Sequence, residues 1–335
     1  MNKFIVGLAT LLLLAPLAAS ASIRHIPYYR HHHTDFGTTT PPVQQPPVSN
    51  PPVTPPPTQP PTNPTPISNQ TGTRCVNVAQ GPNPSVMEEI PYMAILQSKG
   101  ITCVRIAAFG QNSTLAEQIG VAYKGAGFRA MIVEDDNGKG LSQAQLSSYD
   151  AGVIAQAQQM QKDGLPEIAV GNEQEYRLLN GLTQSQWIAH VKTLASQVKQ
   201  IYGGEVSYDT SGDFVGQWVS AGVLGALDAF GENDYCGFGC NEGYIKAAVN
   251  AWGAPHVEVT ETNCDVLSSN TGCTNDAAIN NELKGDYVKL RAEFPTIPFY
   301  FFALDTGGDE SHTQWGLYVG TTVQYPQSAA TVFNS

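Results

Sequence analysis

Glu167-Ile168-Ala169-Val170-Gly171-Asn172-Glu173 decides the reading of this chain, together with a second stretch of the same build, Val257-Glu258-Val259-Thr260-Glu261-Thr262-Asn263. Each is a short apolar run that stops at a carboxylate, as a buried strand does when its last residues reach a mouth or edge of a sheet. Strand signals of this kind recur along the chain: Cys75–Ala79, Cys103–Ala107, Ala130–Glu134, Ile168–Glu173, Glu205–Asp209, Ala226–Asn233, Val257–Glu261 and Phe299–Leu304. Helical patterns lie between them. The clearest starts at Thr183, where Gln186 three residues on completes a capping box. Its apolar positions Trp187, Ile188, Val191, Leu194, Val198 and Ile201 follow a helical period. Another helical pattern runs from Ser142 to Lys162 and ends before Gly164. Eight strands with helical connections predict a single closed parallel α/β barrel, a TIM barrel. An open doubly wound sheet is the competing architecture. Its glycine fingerprint is missing, because Gly125-Ala126-Gly127-Phe128-Arg129-Ala130 precedes a strand instead of following one.

Parallel barrels carry their chemistry at the C-terminal ends of their strands. Glu173 and Glu261 end the fourth and seventh candidate strands, so a closed barrel can turn both toward one opening. Two facing carboxylates, one as acid and one as nucleophile or base, are what cleavage of a glycosidic bond requires. The competing reading for either glutamate alone is a structural partner for a basic residue.

The chain of 335 residues opens with Met1-Asn2-Lys3, an apolar run from Phe4 to Leu17, and Ala19-Ser20-Ala21. A charged start, a hydrophobic run and small residues predict a secretory signal peptide over residues 1–21; the run is too short for a comfortable membrane span. Residues 22–72 are read as a disordered linker rich in proline and threonine, with polyproline character over residues 40–70. The folded domain is expected over residues 73–335, enough for one barrel. The six cysteines are an even set, compatible with disulfides in a secreted chain. Local pairings are favoured among the fifteen that six cysteines allow: Cys75 with Cys103, Cys236 with Cys240, and Cys264 with Cys273. No C-x-x-C pair or H-E-x-x-H is present, and no metal or cofactor is called for. The formal net charge of −12 excludes a basic nucleic-acid surface and fits a neutral polymer substrate better than an anionic one. A monomer without a membrane span is expected, acting outside the cell or at its surface.

The motifs resemble those of a known group. Val170-Gly171-Asn172-Glu173 is similar to the strand-four motif of the large clan of retaining glycosidases built on (β/α)8 barrels (clan A), in which an Asn-Glu pair carries the acid/base. Val259-Thr260-Glu261-Thr262 resembles that clan's strand-seven nucleophile motif, and Gly100-Ile101-Thr102-Cys103-Val104-Arg105-Ile106 its second-strand segment. Phe302-Ala303-Leu304-Asp305, Glu310 and Trp315-Gly316-Leu317-Tyr318 resemble the eighth-strand region of family 17 β-1,3-glucanases. One departure stands out: that family follows its nucleophile with Gly-Trp-Pro, where this chain has Thr262-Asn263-Cys264. The resemblance implies Glu173 as general acid/base and Glu261 as nucleophile. It implies that Asn172 binds the sugar 2-hydroxyl, that Arg105 keeps Glu261 ionised and that Tyr235 donates a hydrogen bond to Glu261. Arg105, Tyr235, Glu310 and Trp315 are carried over with Asn172 as substrate-binding positions.

Further residues are read with less weight. Glu175 is a candidate for shaping the acidity of Glu173 or the substrate groove, and Asp135 and Asp136 for binding sugar hydroxyls, but all three read as solvated loop residues. Trp315 and Trp218 follow strands and are candidates for stacking on sugar rings, whereas Trp187 and Trp252 fall in helical patterns and read as packing residues. The expected activity is endo-acting hydrolysis of a β-glycan, with β-1,3-glucan first. A glucan transglycosylase using the same glutamates and a non-catalytic cell-wall glycan-binding barrel are the alternatives.

Overall fold

The computed structural model describes residues 74–81, 86–108, 113–134, 140–234, 242–262, 275–285, 287–302, 304–305, 317–319 and 322–334, all within one compact unit, Thr58–Ser335. The leader and linker calls, Asp135, Asp136, Tyr235, Glu310, Trp315 and the four cysteines 236, 240, 264 and 273 lie outside the described residues. Among the described residues no helix is long and apolar enough to cross a membrane.

Eight strands close in chain order into a parallel barrel. They are β1 (Cys75–Gly81), β2 (Cys103–Ala108), β3 (Arg129–Val133), β4 (Glu167–Asn172), β5 (Glu205–Ser211), β6 (Phe230–Asn233), β7 (Val257–Thr262) and β8 (Phe299–Phe302). The ring closes where Cys75 and Asn77 of β1 pair with Tyr300 and Phe302 of β8. The helices are α1 (Val86–Ser98), α2 (Ser113–Gly125), α3 (Leu146–Asp163), α4 (Gln184–Lys199), α5 (Val215–Ala221) and α6 (Glu242–Trp252), then α7 (Asp276–Gly285) and α8 (Tyr287–Glu293) before β8. A small sheet of β9 (Leu304–Asp305), β10 (Tyr318–Val319) and β11 (Thr322–Val323) precedes a last helix, α9 (Pro326–Asn334).

Local chemistry accounts for the boundaries. Thr183 caps α4: its hydroxyl accepts from the Gln186 amide at 3.3 Å, and its own amide donates to Gln186 Oε1 at 2.8 Å. Helix α3 ends at Gly164, whose φ of 63° only glycine adopts without strain. It starts at Leu146, later than Ser142, because Ser142 turns its amide and hydroxyl onto Gln145 Oε1 and forms a side-chain turn ahead of the helix. Strand β6 starts at Phe230, later than Ala226, because residues 223–227 close a backbone turn. Leu304 falls past the end of β8 and pairs instead with Tyr318 in the small sheet.

Two apolar layers surround the barrel wall. The outer one packs Val76, Ile106, Ile132, Val170, Tyr208, Phe230, Val257 and Phe299 against the helices. The inner one joins Met131, Val133, Ala169 and Tyr300 to a disulfide between Cys75 and Cys103, which face each other in register on β1 and β2. Below it, at the N-terminal ends of their strands, Arg129 pairs with Glu205 at 2.6 Å and Glu167 at 3.3 Å. Above it the interior turns polar, and that is where both motif strands end.

Candidate active site

Alternation places Ile168 and Val170 on the outer face of β4, and would send residue 172 the same way. The pairing of β4 with β5 slips between Ala169 and Asn172. This bulge returns Asn172 to the interior, and Glu173 follows at the mouth. Gly171 fits at the bulge because a Cβ there would sit 2.7 Å from both Gln174 Oε1 and the Tyr208 ring. Strand β7 does the same: Val257 and Val259 face the helices, pairing slips next to Glu261, and both Thr260 and Glu261 reach interior partners. Both motif strands thus break their period where they deliver a carboxylate.

Arg105, wholly buried on β2, ties the two strands together. Its Nε and Nη2 donate to Asp209 Oδ2 at 2.9 and 2.7 Å. Nη1 donates to Asn77 Oδ1 at 2.9 Å and meets Glu261 Oε1 at 2.9 Å; Nη2 also donates to Asn172 Oδ1 at 3.1 Å. One cation therefore faces two buried carboxylates. Burial pushes Asp209 up to about 6 even though Arg105 pulls it down. Opposite, Gly231 leaves room for that carboxylate, since a Cβ there would lie 2.2 Å from Asp209 Oδ1.

Asn233, at the end of β6, connects Glu173 to the same network. Its Nδ2 donates to Glu173 Oε1 at 3.0 Å and to Asn172 Oδ1 at 3.0 Å, while Thr260 Oγ1 donates to Asn233 Oδ1 at 2.8 Å. The backbone of Glu173 is left-handed, with φ 54°, a costly conformation for a side chain with a Cβ. It is held by its own amide, which donates to Asp209 O at 2.9 Å, and by Arg177 Nη2, which donates to Asn172 O at 2.7 Å. Burial, and then the charge of Glu261, raise the Glu173 carboxyl to about 8. At neutral pH Glu173 is a proton donor, and Glu261 beside it is paired with a guanidinium.

The structure thus brings Glu173, Glu261, Asn172 and Arg105 to one mouth. Arg105 contacts only buried protein groups among those described, so it supports Glu261 from beneath and is not a substrate-contacting residue. Glu175 is corrected: it is buried, not solvated, and accepts hydrogen bonds from Tyr208, Thr210 and Trp218. Trp218 is corrected with it. Its ring is fully buried against Tyr208 at 4.4 Å and Phe230 at 5.6 Å, out of reach of a sugar. Among the described residues, the exposed aromatic near Glu173 is Tyr176, 46% exposed, edge-on to Phe214 at 4.7 Å with its hydroxyl bonded to Ser211 at 2.8 Å. Asn77, Asp209, Asn233 and Tyr176 were not singled out by the sequence reading. Asn233 ends β6 beside Glu232, and Asp209 is a polar residue within β5, so neither closes an apolar run as Glu173 does. Among the described residues no group of His, Cys, Asp and Glu is arranged to hold a metal ion.

No protein-family model matches the chain, and no curated protein sequence matches it significantly. Solved structures do match. One is a GH113 β-1,4-mannanase, with TM-score 0.56 and 13% identity, covering 79% of this chain and 98% of that one. Another is the Thermobifida fusca endoglucanase catalytic domain in complex with cellotetraose, with TM-score 0.55 and 13% identity over 79% and 91% of the two chains. A third is a Bacteroides ovatus GH5 xyloglucanase bound to a heptasaccharide, with TM-score 0.56 and 14% identity over 80% and 75%. At these identities the likeness is one of fold: this chain is built on the barrel that those glycoside hydrolases use.

Proposed function

We propose that this chain is a secreted, retaining endo-β-glycan hydrolase of the clan A type that works by double displacement. The observation that carries the proposal is the pairing of an acid with an anion across one barrel mouth: Glu173 holds its proton to about 8, with Glu261 among the causes, while Glu261 lies 2.9 Å from the buried Arg105. A binding protein has no need of such an asymmetric pair. In the first step Glu173 protonates the glycosidic oxygen as Glu261 attacks the anomeric carbon; the leaving sugar departs and a glycosyl ester forms on Glu261. In the second step Glu173, now a carboxylate, takes a proton from water, which attacks the anomeric carbon and releases Glu261. Esterification removes the charge of Glu261 and lets Glu173 act as a base in the second step; release of Glu261 restores that charge and favours the proton Glu173 has just taken up. Asn172 and Asn233 orient the acid and its neighbour, and Tyr176 offers a flat face beside the leaving-group side.

A net charge of −12 favours a neutral polymer. The eighth-strand motifs point to β-1,3-glucan, following the pattern of family 17. The solved structures of similar fold act on β-1,4-mannan or bind cellotetraose, which supports β-1,4-glycans as the other substrates to offer. The leader over residues 1–21 and the spacer over residues 22–72 belong to this proposal and support export of the barrel. The test is release of reducing ends from laminarin, lichenan, β-1,4-mannan, soluble cellulose and xyloglucan by the purified protein. Release from at least one polymer, abolished in Glu261→Gln, is expected. A folded wild-type protein inert on all of them and on activated aryl β-glycosides would refute the hydrolase reading.

A further inference from the structure

The turn after β4 contains a second glutamate with an unusual set of partners. Glu175 lies on a single 3-10 turn, Gln174–Arg177, and is almost fully buried. Its Oε1 accepts from Thr210 Oγ1 at 2.6 Å and from the Trp218 indole N–H at 2.5 Å; its Oε2 accepts from the Tyr208 hydroxyl at 2.7 Å. Two of these donors are on β5 and the third on α5. Tyr208 is itself fixed, because the Trp187 indole on α4 donates to its hydroxyl at 2.9 Å. Three donors from two elements converge on one carboxylate in a site without water access. Burial pushes the Glu175 carboxyl up, and the three donors pull it back toward the anion; a methyl or amide group in its place would leave buried donor capacity unpaired.

We propose that Glu175 is the positioning residue for Glu173, a carboxylate anchor that locks the turn to β5 and α5 and so holds the acid/base in its strained left-handed conformation at the mouth. The need for such an anchor is visible in the backbone. Glu173 has φ 54°, and a strained residue persists only where its surroundings over-determine it. Only one residue, Gln174, separates Glu173 from the anchor, so a released turn would let Glu173 relax to an ordinary conformation and swing its carboxyl away from Asn233 and Glu261. Glu175 also places a negative charge near Glu173. Among the described residues, the ionisable and polar groups facing Glu173 are Glu261 from β7, Asn233 and Glu232 from β6, and Glu175, Tyr176 and Arg177 from its own turn. Glu175 adds to Glu261 in favouring the protonated acid, against Asn233 and Arg177. The positioning role rests on the acid/base assignment proposed above; the geometric anchor does not.

The test compares wild type with Glu175→Gln, Glu175→Asp and Trp218→Phe, each checked for folding by circular dichroism. Trp218→Phe keeps an aromatic ring at this position and removes one donor, so it tests the anchor even where Glu175→Gln folds poorly. Two readouts separate the proposal from a merely structural role. The first is the carboxyl titration of Glu173, read by carbon-13 NMR against Glu173→Gln; in Glu175→Gln it should fall. This measurement requires no substrate and therefore stands apart from the hydrolase reading. The second is the ratio of activities on a natural glycan and on a dinitrophenyl glycoside. Glycosylation by the activated substrate needs no acid, so the loss should be ~10–100-fold on the glycan and within about 3-fold on the activated substrate. Glu175→Asp should recover part of the glycan activity. An unmoved Glu173 titration in Glu175→Gln, or equal losses on both substrates, would overturn the proposal while leaving the hydrolase reading intact.

Discussion

Arg105→Met removes a cation that faces both buried carboxylates, and its cost can be worked from the contacts. The guanidinium meets Asn77, Asn172, Asp209 and Glu261 at 2.7–3.1 Å, with no exposure of either Arg105 or Asp209. Methionine fills the same volume and leaves Asp209 and Glu261 facing each other uncompensated. Breaking a buried ion pair from one side costs ~3–5 kcal/mol, unless the stranded acid takes up a proton. That escape makes the loss depend on pH. In the wild type Asp209 titrates at about 6 in the folded state, above an unfolded aspartate near ~4. A raised folded pKa means the native state binds more protons, so stability falls as pH rises, and the fall ends once the folded group has ionised. In the wild type the Asp209 contribution therefore ends just above about 6; in the variant it continues upward. The gap in unfolding free energy between the two proteins should widen from pH 6 to pH 8 by ~2–3 kcal/mol, at ~1.4 kcal/mol per pH unit. Urea unfolding at both pH values measures it. A gap of the same size at pH 6 and pH 8 would refute the claim that Arg105 compensates these carboxylates.

Other consequences follow from the same residues. The folded carboxyls of Glu117, Glu134 and Glu167 are pushed up to about 7, and Glu173 to about 8, chiefly by burial. All are raised, so their contribution is fully present below the unfolded glutamate value of ~4.3 and is lost as pH rises through the folded values; a melting temperature that rises between pH 5 and pH 8 would contradict the assignment. Glu173→Gln should cut turnover on natural glycans far more than glycosylation by aryl glycosides with good leaving groups, whereas Glu261→Gln should abolish both; identical behaviour of the two variants in burst kinetics would remove the division of labour. Tyr176→Ala takes away a half-exposed ring without touching the Arg105 network, and should raise KM for oligosaccharides several-fold, about 1 kcal/mol, with little change in kcat. A fall in kcat alone would place Tyr176 outside the binding surface.

The barrel was legible because its wall is made of apolar runs of the right length, separated by helical periods with readable caps such as Thr183 and Gly164. All eight strands form at the expected places, with ends differing by a few residues where turns or the small sheet intervene. Glu173 and Glu261 were legible for the same reason, as charges that close an apolar run. The orientation of their neighbours was not. Bulges at Ala169–Asn172 and beside Glu261 break the two-residue period, so alternation alone would have turned Asn172 and Glu261 outward. Glu175 was misread because polarity in a loop suggests solvent. What buries it is a cluster of donors from residues 33 to 43 positions away, brought close only by the fold. Asp209 and Asn77 escaped notice as single polar residues within strands, whose meaning depends on the buried arginine between them.

The central claim is that Glu261 attacks the anomeric carbon while Glu173 supplies the proton, and mass spectrometry of a trapped intermediate tests it most directly. A 2-deoxy-2-fluoro β-glycoside with an activated leaving group slows both steps, but the good leaving group keeps the first fast enough for the glycosyl enzyme to accumulate. The intact protein should gain the mass of one fluoroglycosyl unit, and after proteolysis the label should map to Glu261. A label on Glu173, or turnover of the substrate with inversion and no covalent adduct, would contradict it.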